Sequence, residues 1–287
     1  MKQSAKSIRA RLLNISRHEN ISFQLIIIRY FQERLLYRLS KSVYNNTFCL
    51  KGGVLLYLFE EQKSRPTMDI DFLAINTKNE IENLKTIFSE ICQIHSDEDA
   101  VLFDYKSVET NEIIKQGNYN GIRIKVAGKL DTIKQNIQID IGFGDKVYPN
   151  PILVKYPVIL EMEQPEINAY SIYSAIAEKF EAMIQLSEAN SRMKDFYDIY
   201  TILTNSKIDK QELENAVNLT FKTRNTIVSE KHSLFENDFY MDKNRLLQWK
   251  AFKQKAKISD NIEFETVMQT IIIELQAIYR RMIKQEP

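Results

Sequence analysis

Apolar residues recur at helical spacing through residues 4–44 and predict two helices, the second over Ser22–Tyr44. Residues 47–158 read as a mixed αβ stretch. Phe48-Cys49-Leu50 is a short apolar strand, Gly52-Gly53 follows, and Val54–Phe59 is a helix-like apolar run. Glu80–His95 has a helical pattern and Val101–Glu109 a strand pattern, while Gly121–Gly128 alternates Ile122, Ile124 and Val126 and can form a hairpin with 134–142. Alternation is strict in Asn136–Ile141: Ile137, Ile139 and Ile141 share one face, and Asn136, Gln138 and Asp140 share the other. Pro149, Pro151, Pro157 and Pro165 punctuate the passage to a second region. From Ser171 onward the pattern is nearly all helical. One helix reaches about Ser187 with Ile172, Ile176, Phe180 and Met183 on its apolar face; after the polar Glu188–Ser191 a second carries Phe196, Ile199, Tyr200 and Leu203. The expected fold is α+β: N-terminal helices (1–46) packed on a mixed β-sheet core with flanking helices (47–165), then a C-terminal helical region (166–287) that completes a cleft.

The candidate chemistry starts at Asp69-Ile70-Asp71, inside the strand-like Thr67–Ile75. Side chains two apart on a strand point the same way, roughly 7 Å apart at the backbone. Two acids against a sheet call for a compensating cation, and hard carboxylate oxygens favour magnesium or manganese over zinc. A bare Asp-x-Asp also fits an exposed strand with two solvated acids, so the surroundings decide. Gly52-Gly53, in a chain of only 7 glycines, leaves backbone amides open to an anion at the start of a helical run, although such a pair is also an ordinary turn. Asp140 adds a third carboxylate if its strand lies beside that of Asp69 and Asp71 with polar faces matched, an arrangement that clamps two metals about 4 Å apart for displacement at phosphorus. Asp145, after the glycines, reads as a turn residue.

These residues resemble the AbiEii/AbiGii toxin family, nucleotidyltransferase-like proteins of the DNA polymerase β superfamily. The resemblance runs through Leu50-Lys51-Gly52-Gly53, Arg65-x-Thr67-x-Asp69-Ile70-Asp71-Phe72 and Ile139-Asp140-Ile141-Gly142-x-Gly144-Asp145. It continues in Glu178-Lys179-Phe180-Glu181-Ala182 and in Arg192–Tyr200, and covers roughly residues 20–205. It implies an NTP-dependent nucleotidyltransferase using Mg2+ or Mn2+, with Asp69, Asp71 and Asp140 as metal ligands. Lys51, Gly52, Gly53, Arg65, Thr67 and Lys179 would bind the nucleotide, Asp195 would be the functional acid of the fourth motif, and Asp198 is the weaker candidate. Many superfamily members have Gly-Ser where this chain has Gly52-Gly53, so phosphate binding there would rest on amides and Lys51. From the residues alone, Lys179 is either a lysine whose stem covers core or a cation near phosphate. Asp195 and Asp198, one turn apart, are also candidates to pair with Arg192, Lys194 or Lys179. The implied biology is a toxin of a toxin–antitoxin or abortive-infection phage-defence pair, with an antitoxin encoded nearby and the tRNA 3′ end as acceptor. A protein acceptor, or a catalytically silent nucleotide- or protein-binding module, is the alternative.

The 287 residues, 44% hydrophobic, suffice for a sizeable core. A net charge of +1 argues against a uniformly basic nucleic-acid binder. Charge is nevertheless uneven: Lys243, Arg245, Lys250, Lys253, Lys255 and Lys257 run without an acid and are interleaved with Trp249 and Phe252, and Lys2, Lys6, Arg9, Arg11 and Arg17 precede the first acid. Such runs either contact RNA phosphates or are solvated helix faces whose aromatics pack inward. Cys49 and Cys92 imply no disulfide framework, the three histidines lack ligand spacing, and no apolar run is long enough to span a bilayer, so a cytoplasmic protein without a membrane partner is expected.

Overall fold

The computed structural model describes residues 4–59, 65–115, 119–258 and 261–284, with backbone alone at 114–115 and 119–120. The chain divides into two compact units, one of Met1–Glu61, Pro66–Gly144 and Ile152–Ala169, the other of Gln62–Arg65, Asp145–Pro151 and Tyr170–Pro287.

The first unit runs α1 (Ala5–His18), α2 (Phe23–Lys41), β1 (Phe48–Lys51), α3 (Gly52–Leu55), β2 (Asp69–Ala74), α4 (Ile81–Gln93), β3 (Leu102–Lys115), β4 (Tyr119–Leu130), β5 (Ile133–Gly142), β6 (Ile152–Lys155) and β7 (Glu166–Ala169). Its seven strands form one sheet in the order β3-β4-β5-β2-β1-β7-β6. The pairs β2–β5 and β1–β7 are parallel and the remaining pairs antiparallel. The expected hairpin is β4–β5, turning at Asp131-Thr132. The short strands β6 and β7, which the proline-rich passage concealed, extend the sheet beyond β1.

Period-two patterning explains the layering. Ile122, Ile124 and Val126 of β4 stand opposite Ile141, Ile139 and Ile137 of β5, and Ile139 and Ile141 stand opposite Ile70 and Phe72 of β2. All are buried and form one apolar face. Helix α2 packs on it. A Cβ on Gly128 would lie 2.6 Å from the Phe31 ring, so glycine lets the helix approach. Residues 26–36 of α2 are buried on every side, charged ones included. Arg38 forks onto Asp99 at 2.8 and 3.2 Å, while Glu33 accepts the Ile159 N–H at 2.8 Å and lies 3.6 Å from Arg34 without a hydrogen bond. Burial pushes the Glu33 carboxyl up to about 7, against the opposing pull of Arg34.

The second unit is helical, with α5 (Ile172–Leu186), α6 (Met193–Asn205), α7 (Lys210–Arg224), α8 (Asn237–Tyr240), α9 (Lys243–Ala256) and α10 (Phe264–Ile283). Ser171, Asp209 and Asp242 cap α5, α7 and α9 by accepting first-turn N–H groups. Phe180, Phe221 and Tyr279 form an aromatic core between α5, α7 and α10, and Trp249 packs at a tilt against Phe264 and Phe252. Among the described residues no helix is long and apolar enough to cross a membrane.

Candidate active site

The sheet face opposite α2 carries the acids. Asp71 and Asp140 are direct partners across β2–β5, Asp69 pairs with Gln138, and Lys51 of β1 stands opposite Asp71. The polar faces are therefore matched, the condition on which Asp140 joins the other two acids. Asp69 and Asp71 are half-buried, and Asp140 is 7% exposed. Both oxygens of Asp140 are taken: Arg123 of β4 donates through Nε to Oδ1 and through Nη2 to Oδ2, each at 2.8 Å. That hydrogen-bonded fork, helped by the charges of Asp140, Asp69 and Asp71, raises the Arg123 pKa above its usual value.

Gly52 and Gly53 have a steric reason to be glycine. Gly52 has φ +70°, and a Cβ there would fall 2.1 Å from Asp71 Oδ2; a Cβ on Gly53 would fall 2.6 Å from Thr67 Oγ1. The pair thus lets the chain fold against Asp71 and Thr67. The helical run after them is shorter than its apolar pattern suggested: α3 has four residues and gives way to a 3-10 turn at Leu56–Leu58. A helix this short contributes little dipole, so anion binding there would rest on the local amides and Lys51.

A second constellation lies in the helical unit. Lys179 of α5 donates to Asp195 Oδ1 at 3.0 Å and Asp198 Oδ2 at 2.7 Å, both on α6. Arg65 forks onto Asp198 at 2.6 and 2.7 Å, and Arg192 meets Asp195 at 2.7 Å. The two acids are 1% and 0% exposed, so the inward stripe of α6 includes them alongside Phe196, Ile199 and Ile202, whereas Tyr200 and Leu203 are only half-buried. Three cations around two carboxylates make that burial tolerable. Burial alone would lower Lys179, but Asp195 and Asp198 outweigh it and hold the ammonium above its usual range. Burial would likewise raise Asp195, yet Lys179, Arg192 and Lys194 hold it below the usual carboxylate value.

The basic run on α9 is mostly a helix face. Arg245 is buried and donates to the Asn190 and Glu188 carbonyls, Lys253 donates to the Ile262 carbonyl, and Trp249 packs inward. Lys243, Lys250, Lys255 and Lys257 are exposed. At the N-terminus Arg9 pairs with Asp131, and Lys2 lies outside the described residues.

With this geometry in hand, a family model described as "Nucleotidyl transferase AbiEii toxin, Type IV TA system" matches residues 34–270, from within α2 into the start of α10. The chain belongs to the AbiEii nucleotidyl transferase toxin family. It is a nucleotidyltransferase, as the resemblance implied. One solved structure agrees on the fold. JHP933 from Helicobacter pylori superposes with a TM-score of 0.51 at 16% identity, covering 92% of this chain and 95% of its own. Another Helicobacter pylori structure, provisionally described as a nucleotidyltransferase, gives 0.49 at 15% identity over 93% and 100%. An antigenic nucleotidyltransferase-like protein from Paracoccidioides brasiliensis gives 0.41 at 12% identity over 87% and 96%. No curated protein matches.

In this AbiEii-family chain the oxygen-only donor pair Asp69 and Asp71 fits a hard divalent cation. Among the described residues no group of three or more His, Cys, Asp and Glu side chains is placed to hold a metal, and Asp140 is committed to Arg123. Sequence reasoning missed Arg123 and Arg224. Arg123 was findable: it alternates with Ile122 and Ile124, and a turn at Asp131-Thr132 puts it opposite Asp140. Arg224 forks onto Asp145 at 2.9 and 3.0 Å and meets Glu181 and Glu178, so Asp145, expected as a turn residue, lies in irregular chain and is held by Arg224.

Proposed function

We propose that this protein transfers a nucleoside monophosphate from an NTP to the 3′ end of a tRNA, releasing pyrophosphate, as the toxin partner of an antitoxin encoded nearby. The observation that carries the reading is the matched face of β2 and β5, where Asp69 and Asp71 project together beside Asp140 and Lys51. Asp69 and Asp71 would hold divalent magnesium. When bound, the metal neutralises charge developing on the transferred phosphoryl group and makes the acceptor hydroxyl more acidic.

The chain's own groups supply the rest. Lys51 and the amides of Gly52 and Gly53 are the phosphate-facing candidates on the sheet unit. Lys179 has three donors and uses two on Asp195 and Asp198, which leaves one N–H for a nucleotide phosphate. Asp195 acts by holding that ammonium charged and oriented. Arg65 is better described as the residue that holds Asp198 than as a direct nucleotide contact, because its fork is already filled. The tRNA acceptor rests on the exposed lysines of α9, which offer positive charge to an RNA backbone.

The deciding experiment incubates purified protein with labelled NTPs, magnesium and total cellular RNA or protein. Label on tRNA, dependent on metal and lost with Asp71→Asn, is the expected result. Label on protein alone would replace the acceptor while leaving the transferase standing, and no label on either polymer would favour a binding module.

A further inference from the structure

Arg123, Asp140, Asp71 and Lys51 form one transverse row across β4, β5, β2 and β1, each the direct partner of the next. Direct partners share a face, so the row reads plus, minus, minus, plus. Asp69, two residues before Asp71, adds one more carboxylate to that face. The outer cation is the more accessible: the Arg123 side chain is 36% exposed and that of Asp140 is 9% exposed. Arg123 thus already supplies, at the edge of the acid patch, charge that a divalent ion would otherwise bring. Its fork also uses both Asp140 oxygens in a charge-assisted, bidentate bond.

We propose that Arg123 is a built-in competitor for the divalent ion: it withholds Asp140 from the ligand set and thereby sets the metal concentration at which Asp69 and Asp71 fill. This rests on the metal-dependent reading above and adds to it a regulator of that site. A guanidinium within a few ångströms of a divalent ion opposes its binding electrostatically. Removing Arg123 therefore relieves repulsion and frees a third carboxylate. If Arg123 instead only oriented Asp140 as a metal ligand, removing it would weaken binding. The sign of the effect separates the two.

The test is Mn2+ binding to the full chain without nucleotide, followed by isothermal titration calorimetry and by the loss of the free-Mn2+ paramagnetic resonance signal. Arg123→Gln and Arg123→Met are expected to bind Mn2+ about tenfold more tightly than the wild type. Asp140→Asn leaves the guanidinium without its partner beside Asp69 and Asp71 and is expected to bind more weakly, while the Arg123→Gln/Asp140→Asn double variant returns close to wild type. Two uncharged replacements at 123 guard against one failing to fold. Weaker or unchanged binding in both, or a double variant as weak as Asp140→Asn alone, overturns the proposal. Wild-type protein that binds no Mn2+, or binds it equally well after Asp69→Asn and Asp71→Asn, overturns the metal reading itself and this proposal with it.

Discussion

Lys179 reaches from α5 to Asp198 on α6 at 2.7 Å, inside a helical unit where Asp198 has no exposed surface. The ammonium is thus part of what keeps α5 and α6 together, beside any service to a substrate. Lys179→Ala strands two buried carboxylates with Arg65, Arg192 and the more distant charge of Lys194 to offset them. Loss of one partner from such a network typically costs about 3–5 kcal/mol. Urea denaturation should show a drop of this size in Lys179→Ala. An unchanged midpoint would mean that the network contributes nothing to folding and that Lys179 serves substrate alone.

Asp71→Asn should behave in the opposite way. Asp71 is half-buried, and asparagine keeps its shape, so the amide replacement should leave thermal stability within about 1 kcal/mol of wild type. Nucleotide transfer should fall by roughly 100-fold or more, since even outer partners of a metal site cost about 10–100-fold. Asp69→Asn should match it. Wild-type transfer rates in either variant would remove these residues from the metal site.

The acid patch was legible in the sequence because strands write their faces in alternate positions. Ile137, Ile139 and Ile141 fixed which way Asp140 points, and Asp69-x-Asp71 did the same for β2. What one strand cannot disclose is its neighbour's register. The pairing of Asp71 with Asp140 stood as a condition, and the fork from Arg123 went unseen although the hairpin turn implied it. On α6, helical periodicity misled in a specific way: it sought an apolar stripe at Phe196, Ile199, Tyr200 and Leu203. The true inward stripe is partly charged, because Lys179 and Arg65 arrive from elsewhere in the chain, and Arg192 from the helix's own N-cap, to neutralise it. The strands β6 and β7 were hidden for a related reason. Four residues each, they are too short for a periodic signal; β7 is held by its pairing with β1, and β6 by its pairing with β7.

Gly52→Ala tests the closeness of the turn to the acids. A residue with a side chain at φ +70° is strained by about 1–2 kcal/mol. The new methyl group would also meet Asp71 Oδ2, which must turn away. Gly52→Ala should therefore lower both the melting temperature and Mn2+ affinity, whereas a variant that melts early yet binds Mn2+ normally would show that Asp71 has room to move without consequence for the ion.

Glu33 gives a pH signature of folding. Its folded-state carboxyl is pushed up to about 7 by burial, against about 4.5 in the free side chain. The folded state therefore holds the proton more tightly than the unfolded one, and stability falls as pH rises. This contribution is fully present below about pH 4.5 and declines until about pH 7, by on the order of 3 kcal/mol. Glu33→Gln, which keeps the shape and cannot ionise, should flatten that part of the stability profile. A wild-type profile rising steadily between those limits, with an identical slope in the variant, would show that Arg34 and the Ile159 amide fully compensate the buried charge.

RNA binding, if it uses α9, must use the lysines that the helix leaves free. Lys253 is occupied by the Ile262 carbonyl and Arg245 by two carbonyls, so substituting them would test folding as much as binding. Lys250, Lys255 and Lys257 are exposed, and their ammonium groups are the ones able to release counterions from a phosphate backbone. Replacing all three with Gln should leave NTP binding intact and weaken tRNA binding. The salt dependence should flatten by about 0.7 in log–log slope for each lost contact with a single strand. The measurement is tRNA affinity by fluorescence anisotropy across a range of salt concentrations. An unchanged slope in the triple variant would move the RNA interface away from α9 and leave its lysines as a solvated helix face.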